Sequence, residues 1–376
     1  MDSNVSKNTN SHNFFKLRFN REKLGISVKN LLKQELLLIL DLYQQEFNVQ
    51  IEPKLLSNIL STKIAIDQPK NSSTSSPTSL RNNSGPLSPG QFQSIIYACP
   101  LGMSLATNLQ QSPPAIMEQI GDLMSQLTLK LDQTDTEFSG QLITEIVPLG
   151  WCNFYLDSQF MADWLQRSLL DAVLKDTPSD IAHEGNPQDR PKGLAPYVLK
   201  DTAPHIASAA SLFWSQSNVV SYPDFLEQTP GKLFPAQYIH ARCCSLLGLG
   251  ARENLITLSN NVQQIEQLES ISWLDPEHQL WLTEMAEHDL LRQLLITSDS
   301  WVENTKVRNH LKHWSKLALS LSQKTAIFLA DCRFLGEVKQ QYPQKAIARL
   351  GLIALVQFWL EKILVEKLRV GALREL

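Results

Sequence analysis

No pair of cysteines in this 376-residue chain has CxxC spacing, and of the five thiols, at 99, 152, 243, 244 and 332, the two adjacent ones are poorly placed to bridge each other. Their neighbours are apolar, so buried free thiols in a reducing compartment are expected, and a disulfide-stapled secreted fold is excluded. No uninterrupted apolar run reaches the ~18 residues of a membrane span, and the N-terminus has no apolar core of the signal-peptide kind. The expectation is a cytoplasmic protein with no membrane partner. A Gly-rich phosphate loop and a G-x-S-x-G elbow are missing as well. His310 and His313 are the only histidines three apart, and no third ligand lies near them in sequence, so neither metal nor cofactor is expected.

What the chain does have is apolar content, 43% of its residues, enough for a sizeable core in two or three domains. Its net charge of −4 averages over segments of opposite sign. Residues 305–376 hold thirteen Lys and Arg against five Asp and Glu, a balance of +8, and residues 1–30 hold six against two. A basic C-terminal region is where a polyanion docks, although a solvated helix face explains the same charges without a partner.

Residues 1–25 are rich in Asn, Ser and Lys and read as a disordered tail. Within it, Phe14 to Phe19 fit a contact patch or a short strand equally. From Ser27 the period is helical, with Val28, Leu31, Leu32, Leu36, Ile39 and Tyr43 on one face, and a short helix follows near 54–61. The Ser-, Thr- and Pro-rich stretch 67–91 reads as a disordered insertion. A strand at 92–97, a helix at 101–109 and a helix capped by Ser112 with Pro113 in its first turn come next; Ile116, Ile120, Leu123, Met124 and Leu127 form the buried stripe of the latter. Two strands around Pro148 and Gly150 and a helix at 159–173 close the first domain, 26–174.

A linker at 175–195 precedes a second domain, 196–376, that reads as helical almost throughout. Candidate helices cover 204–214, 222–228, 235–249, 252–267, 277–296, 302–334 and 344–368, with short turns between the last few, as an antiparallel bundle requires. The fold class is therefore mainly α: a small α+β N-terminal domain followed by a C-terminal antiparallel helix bundle.

The most informative stretch runs from Pro235 to Leu247. Ile239, Cys243, Leu246 and Leu247 make its apolar stripe, while Tyr238, Arg242 and Ser245 share another side and offer a ring, a cation and a hydroxyl. The order Gln237-Tyr238-x-His240-Ala241-Arg242-x-x-Ser245-Leu246 resembles the opening helix of the DALR anticodon-binding domain of arginyl-tRNA synthetases. Two further stretches are similar to that domain, in family order: Ala330-Asp331-Cys332-Arg333-Phe334-Leu335-Gly336-Glu337, and Ala348-Arg349-Leu350-Gly351-Leu352-Ile353-Ala354-Leu355-Val356. In the first domain, a strand before a Pro-started helix and the run Gly150-x-x-Asn153-Phe154-x-Leu156 before the last helix resemble the family's small N-terminal domain, which contacts the outer corner of tRNA.

The resemblance implies binding of tRNA or another structured RNA, with Tyr238 as a stacking platform and Arg242, Arg308, Lys312, Lys316, Arg333, Arg349, Asn153 and Tyr155 as further contacts. Arg308, Lys312 and Lys316 repeat every four residues along one helix face. Catalysis is not implied. Between the two similar parts the family carries a nucleotide-binding domain with a His-x-Gly-His turn and a Lys-Met-Ser-Lys-Ser-type loop, and this chain has neither. It also has Pro235 and Leu329 where the family commonly has tyrosines, and Ala372-Leu373-Arg374-Glu375-Leu376 in place of a terminal Pro-Glu-Arg-Met, so poor discrimination among tRNAs is expected. The expected function is a non-catalytic RNA-binding regulatory or accessory factor. The alternatives are a protein-interaction scaffold that has lost RNA, or a subunit acting with a separate catalytic chain.

Overall fold

The computed structural model describes residues 13–19, 27–59, 65–66, 95–132, 140–147, 149–176, 233–259, 265, 271–303 and 310–375. Most of them are helical, with one antiparallel sheet. The expected insertion at 67–91, nearly all of the linker at 175–195, and the expected helices at 204–214 and 222–228 lie outside the described residues. The chain forms two compact units, Met1–Arg167 with Trp273–Asn304, and Ser168–Ser272 with Thr305–Leu376.

The first unit contains β1 (Asn13–Phe19), α1 (Val28–Phe47), α2 (Pro53–Asn58), β2 (Ala65–Ile66), β3 (Ile95–Cys99), α3 (Leu101–Leu109), α4 (Pro113–Asp132), β4 (Gly140–Val147), β5 (Trp151–Leu156) and the start of α5 (Ser158–Asp176). Its sheet runs β1-β4-β5-β3-β2, with every neighbouring pair antiparallel. Alternation decides its faces. Ile95, Tyr97 and Cys99 of β3 and Cys152, Phe154 and Leu156 of β5 are buried, and the register sets Tyr97 opposite Phe154 and Cys99 opposite Cys152. Helices α3 and α4 pack on the sheet and α1 on α4.

The strand β1 corrects the expectation of a disordered tail over 1–25. Residues 13–19 pair with β4 along their whole length, from Asn13 opposite Ile146 to Phe19 opposite Gly140. A strand this short gains its ladder from a partner more than a hundred residues away, which composition read locally cannot register.

Ser27 starts α1 by accepting from the Asn30 amide at 3.1 Å, and the apolar row of the sequence, Val28, Leu31, Leu32, Leu36, Ile39 and Tyr43, is buried as expected. Ser112 accepts from the Ala115 amide at 3.4 Å at the start of α4. Gly150 holds the turn between β4 and β5 with φ +98°, and its carbonyl accepts from the Gly102 amide at 2.9 Å. A Cβ on Gly150 would lie 2.9 Å from Pro113 and 3.0 Å from Met103, so both the backbone angle and the space demand glycine.

The segment 273–303 belongs to this first unit, whereas the sequence placed it within a continuous domain 196–376. A helix is expected over 277–296; the helix that forms there, α7 (Met285–Val302), begins two turns later. Asp275 explains the delay. Its carboxylate accepts from the amides of Glu277 and Gln279 at 2.9 and 2.8 Å, satisfying backbone donors in a turn rather than a helix. Glu284 and Glu287 then form a reciprocal capping box that starts α7.

The second unit contains α6 (Phe234–Arg252), α8 (His310–Asp331), α9 (Glu337–Gln341), α10 (Pro343–Lys362) and a π-helical turn, Ile363–Lys367. Helices α6, α8 and α10 pack on one another. His240 and Gly250 of α6 meet Gln357 and Leu350 of α10, and Trp314 and Arg333 at either end of α8 meet Lys367 and Arg349, so α6 and α8 both run antiparallel to α10. Helix α10 is the centre of the unit, buried along nearly its whole length from Ala346 to Leu360. Of the helix expected over 252–267, residues 253–259 are a loop instead and most of the rest lies outside the described residues: Asn254 takes φ +57° and the Leu255 amide returns to the Gly250 carbonyl at 3.0 Å, which closes α6.

All five cysteines are buried, and none is in a disulfide. Among the described residues no helix is long and apolar enough to cross a membrane.

Candidate nucleic-acid interface

Helix α6 carries two faces, as its sequence implied. Ala236, Ile239, His240, Ala241, Cys243, Cys244, Leu247 and Gly250 are buried in the bundle. On the other side Tyr238 is 43% exposed and Arg242 is exposed; Ser245 is exposed too, but its hydroxyl is spent on the Ala241 carbonyl at 3.0 Å. Sequence reading missed Phe234. It lies one turn before Tyr238, is 53% exposed, and its ring centroid stands 6.2 Å from that of Tyr238 at a tilt of 34°. Phe234, Tyr238 and Arg242 therefore form a row at i, i+4 and i+8: two rings and a guanidinium on the solvent side of a helix whose opposite side is packed. The spacing was available in the sequence, hidden by taking Pro235 as the first helical residue.

Lys312 and Lys316 are exposed one turn apart on α8, and Arg308 lies outside the described residues. Between them Trp314 is fully buried, with the His313 ring edge-on to it at 5.2 Å. Partial burial lowers the His313 pKa below the ordinary imidazole value, and Lys316 adds repulsion in the same sense.

Arg333 is exposed near the end of α8. Arg349 is 4% exposed and donates to the Arg333 carbonyl, so it is corrected here from an RNA contact to a bond inside the bundle. The reason is the central position of α10, which turns even a cation inward, where its long side chain reaches an open carbonyl at a helix end.

Asn153 and Tyr155 belong to the first unit. They lie on the face of β5 opposite Cys152 and Phe154, alongside the exposed Trp151. Both donate to one carboxylate, Glu145, Asn153 at 3.1 Å and Tyr155 through its hydroxyl. Glu145 is only 2% exposed, and burial, together with this acceptor, pushes the Tyr155 phenol pKa well up. The pair is thus fixed in place by a buried acid, with Tyr155 half-buried at the sheet face.

A further polar cluster of the second unit had no signal in the sequence. Gln237 donates to the Gly371 carbonyl at 2.8 Å, and His240, fully buried, has Nδ1 2.7 Å from the Leu373 carbonyl, so that nitrogen carries the proton. Gln357 donates to Glu361 at 2.7 Å, and Arg374 stands 3.7 Å from the same carboxylate. His240 beside Glu361 holds that carboxyl below its ordinary value, against the cost of burial. Together these bonds lay residues 371–374 along α6 and α10.

Among the described residues no group of three or more His, Cys, Asp or Glu side chains is arranged to hold a metal ion. No protein-family model, no curated protein and no solved structure matches this chain.

Proposed function

We propose that this protein binds tRNA or another structured RNA and does not itself activate an amino acid, with the helical bundle of its second unit acting as a DALR-type surface. One observation carries the reading: the exposed row Phe234, Tyr238 and Arg242 on α6. Splayed bases of single-stranded loops are held by stacking on rings and guanidinium planes, and such stacking contributes ~1–3 kcal/mol per base. Two large rings side by side at a helix surface keep about half of their area in water rather than in the core behind them. Lys312 and Lys316 on α8 supply cations for phosphates, in a region whose balance is +8. In the first unit, Trp151, Asn153 and Tyr155 on one sheet face are a second candidate contact for an RNA corner.

The test is a gel shift of the full chain against total tRNA at two salt concentrations. RNA binding predicts an affinity that falls steeply with salt, and a further loss in Tyr238→Ala that Tyr238→Phe does not show. Salt-independent binding, or none, would overturn the reading and favour the protein-interaction scaffold.

A further inference from the structure

Two of the five cysteines are brought face to face by the sheet. Cys99 ends β3, Cys152 is the second residue of β5, and the antiparallel register makes them directly opposed partners. Alternation turns both side chains to the packed face, where neither is more than 1% exposed. The two segments are held together on either side of the pair. Tyr97 stands opposite Phe154 on one side, and on the other the Gly102 amide donates to the Gly150 carbonyl at 2.9 Å. Burial raises the Cys152 pKa, and the nearby Cys99 thiol adds to the rise. This face is turned away from Asn153 and Tyr155, so the pair does not depend on the RNA reading.

Opposed residues of an antiparallel pair have Cα atoms about 4.5 or 5.5 Å apart, according to whether they exchange hydrogen bonds, and a disulfide spans Cα separations of about 4.4–6.8 Å. Either kind of opposition therefore suits the bond. The Cβ atoms of such a pair, about 4.5–5.5 Å apart, must close to the ~3.5–4.5 Å of a disulfide, and the strain of doing so makes the bond easier to reduce again. Cys243 and Cys244 offer no such geometry, because adjacent side chains on α6 diverge by about 100° around the helix.

We propose that Cys99 and Cys152 are a reversible dithiol–disulfide couple whose oxidant is a small disulfide, oxidised glutathione. The thiolate of one cysteine attacks a glutathione sulfur, whose S–S bond breaks and releases one glutathione thiolate; the second cysteine thiolate then attacks the first cysteine's sulfur and releases the other. The two protons lost by the protein end on the two released thiolates, and two electrons pass from the protein to the oxidant. Leu149 and Trp151, close to Cys152 in the chain, are 60% and 38% exposed, and local opening of this end of the sheet is the route by which the oxidant enters. The bond staples the ends of a loop, 99–152, that carries α3, α4 and β4.

The experiment holds the full chain in glutathione buffers of increasing oxidised-to-reduced ratio, approached from the reduced and from the oxidised side, then blocks the remaining thiols in denaturant and maps the linkages by mass spectrometry. In the folded chain the 99–152 linkage is expected to grow with the ratio, to exceed every other internal linkage and to be reversed by dithiothreitol; in the urea-unfolded chain that excess should vanish. Because the bond suits the native register, the oxidised chain is expected to melt about 4 °C or more above the reduced one, a rise that Cys152→Ala treated alike should not show. Absence of the linkage at every ratio, glutathione adducts at 99 or 152 in its place, the same mixture of linkages in folded and unfolded chain, or an oxidised chain that melts no higher than the reduced one would each overturn the couple. The linkage is mapped in the unaltered chain, so the test stands even if Cys152→Ala fails to fold.

Discussion

Tyr97 and Asp299 are 202 positions apart in the chain and 2.6 Å apart in the first unit, hydroxyl to carboxylate. The same carboxylate accepts from the Ser27 hydroxyl at 2.8 Å and the Lys29 amide at 3.0 Å, joining β3, the cap of α1 and the end of α7 at one buried acid. Glu303, one turn on, pairs with Lys29 and Lys33.

Removing that acceptor is expected to be severe. Asp299→Ala strands two buried donors and a part-buried one, each buried donor costing about 1–3 kcal/mol, so a loss of roughly 3 kcal/mol is expected in urea unfolding. Tyr97→Phe removes a single bond to the acid and is expected to cost about 1–3 kcal/mol. Equal, small effects from both would show that the acid is not the junction.

Glu361, half-buried, and Asp299, buried, should tilt stability in opposite directions with pH. Glu361 is held below its ordinary 4.5 by the adjacent His240, so the stability it contributes is present above 4.5 and is lost as pH falls through its lower folded value. Asp299 is raised above its ordinary 3.8, chiefly by burial, so its contribution is present below 3.8 and is lost as pH rises through its folded value. Melting scans between pH 3 and 6 should therefore show a shallower acid loss in Glu361→Gln than in the parent, and a steeper one in Asp299→Asn.

Helices α6 and α10 approach each other closely at Gly250. A Cβ there would lie 2.8 Å from Leu350 Cδ1, and Leu350 is itself fully buried. Gly250→Ala is expected to destabilise the second unit by about 1–3 kcal/mol, and in combination with Leu350→Ala the total loss should be smaller than the sum of the two single losses.

If the protein binds RNA as proposed, replacing Arg308, Lys312 and Lys316 with alanine should weaken binding to all tRNAs alike and flatten the salt slope by about 0.7–0.9 per lost phosphate contact. Preference for arginine tRNAs is expected to stay under about tenfold, the equivalent of ~1.4 kcal/mol, because of Pro235 and Leu329 at the aromatic positions. A hundredfold preference in competition assays would show that other residues read the anticodon. Purified protein is also expected to show no ATP–pyrophosphate exchange with arginine.

The sequence carried the local rules well and the distant ones poorly. The helical period of α1, the Ser112 start of α4 and the exposure of Tyr238 and Arg242 follow from spacing within one element. Other features depend on partners far along the chain. Residues 13–19 become a strand because β4 is there, and 273–303 joins the first unit through bonds such as Trp273 to Gln166 at 3.0 Å. Arg349 reads as a surface cation until α10 is seen to be central. The loop that replaces the start of the helix expected over 252–267 had a local signal in Asn254, a residue type that tolerates the left-handed backbone found there.

The buried thiols make the native chain its own timer. Cys99 and Cys152 lie in the first unit, Cys243, Cys244 and Cys332 in the second, and none faces solvent. Burial raises the Cys152 and Cys243 pKa values and pushes Cys244 up to about 11, while reaction with an alkylating reagent requires an accessible thiolate. At neutral pH each mark must wait for its surroundings to part. Mass-resolved alkylation of the unaltered protein would thus record, on two separate clocks, how often each half breathes, and a ligand seated on one half would slow that clock alone.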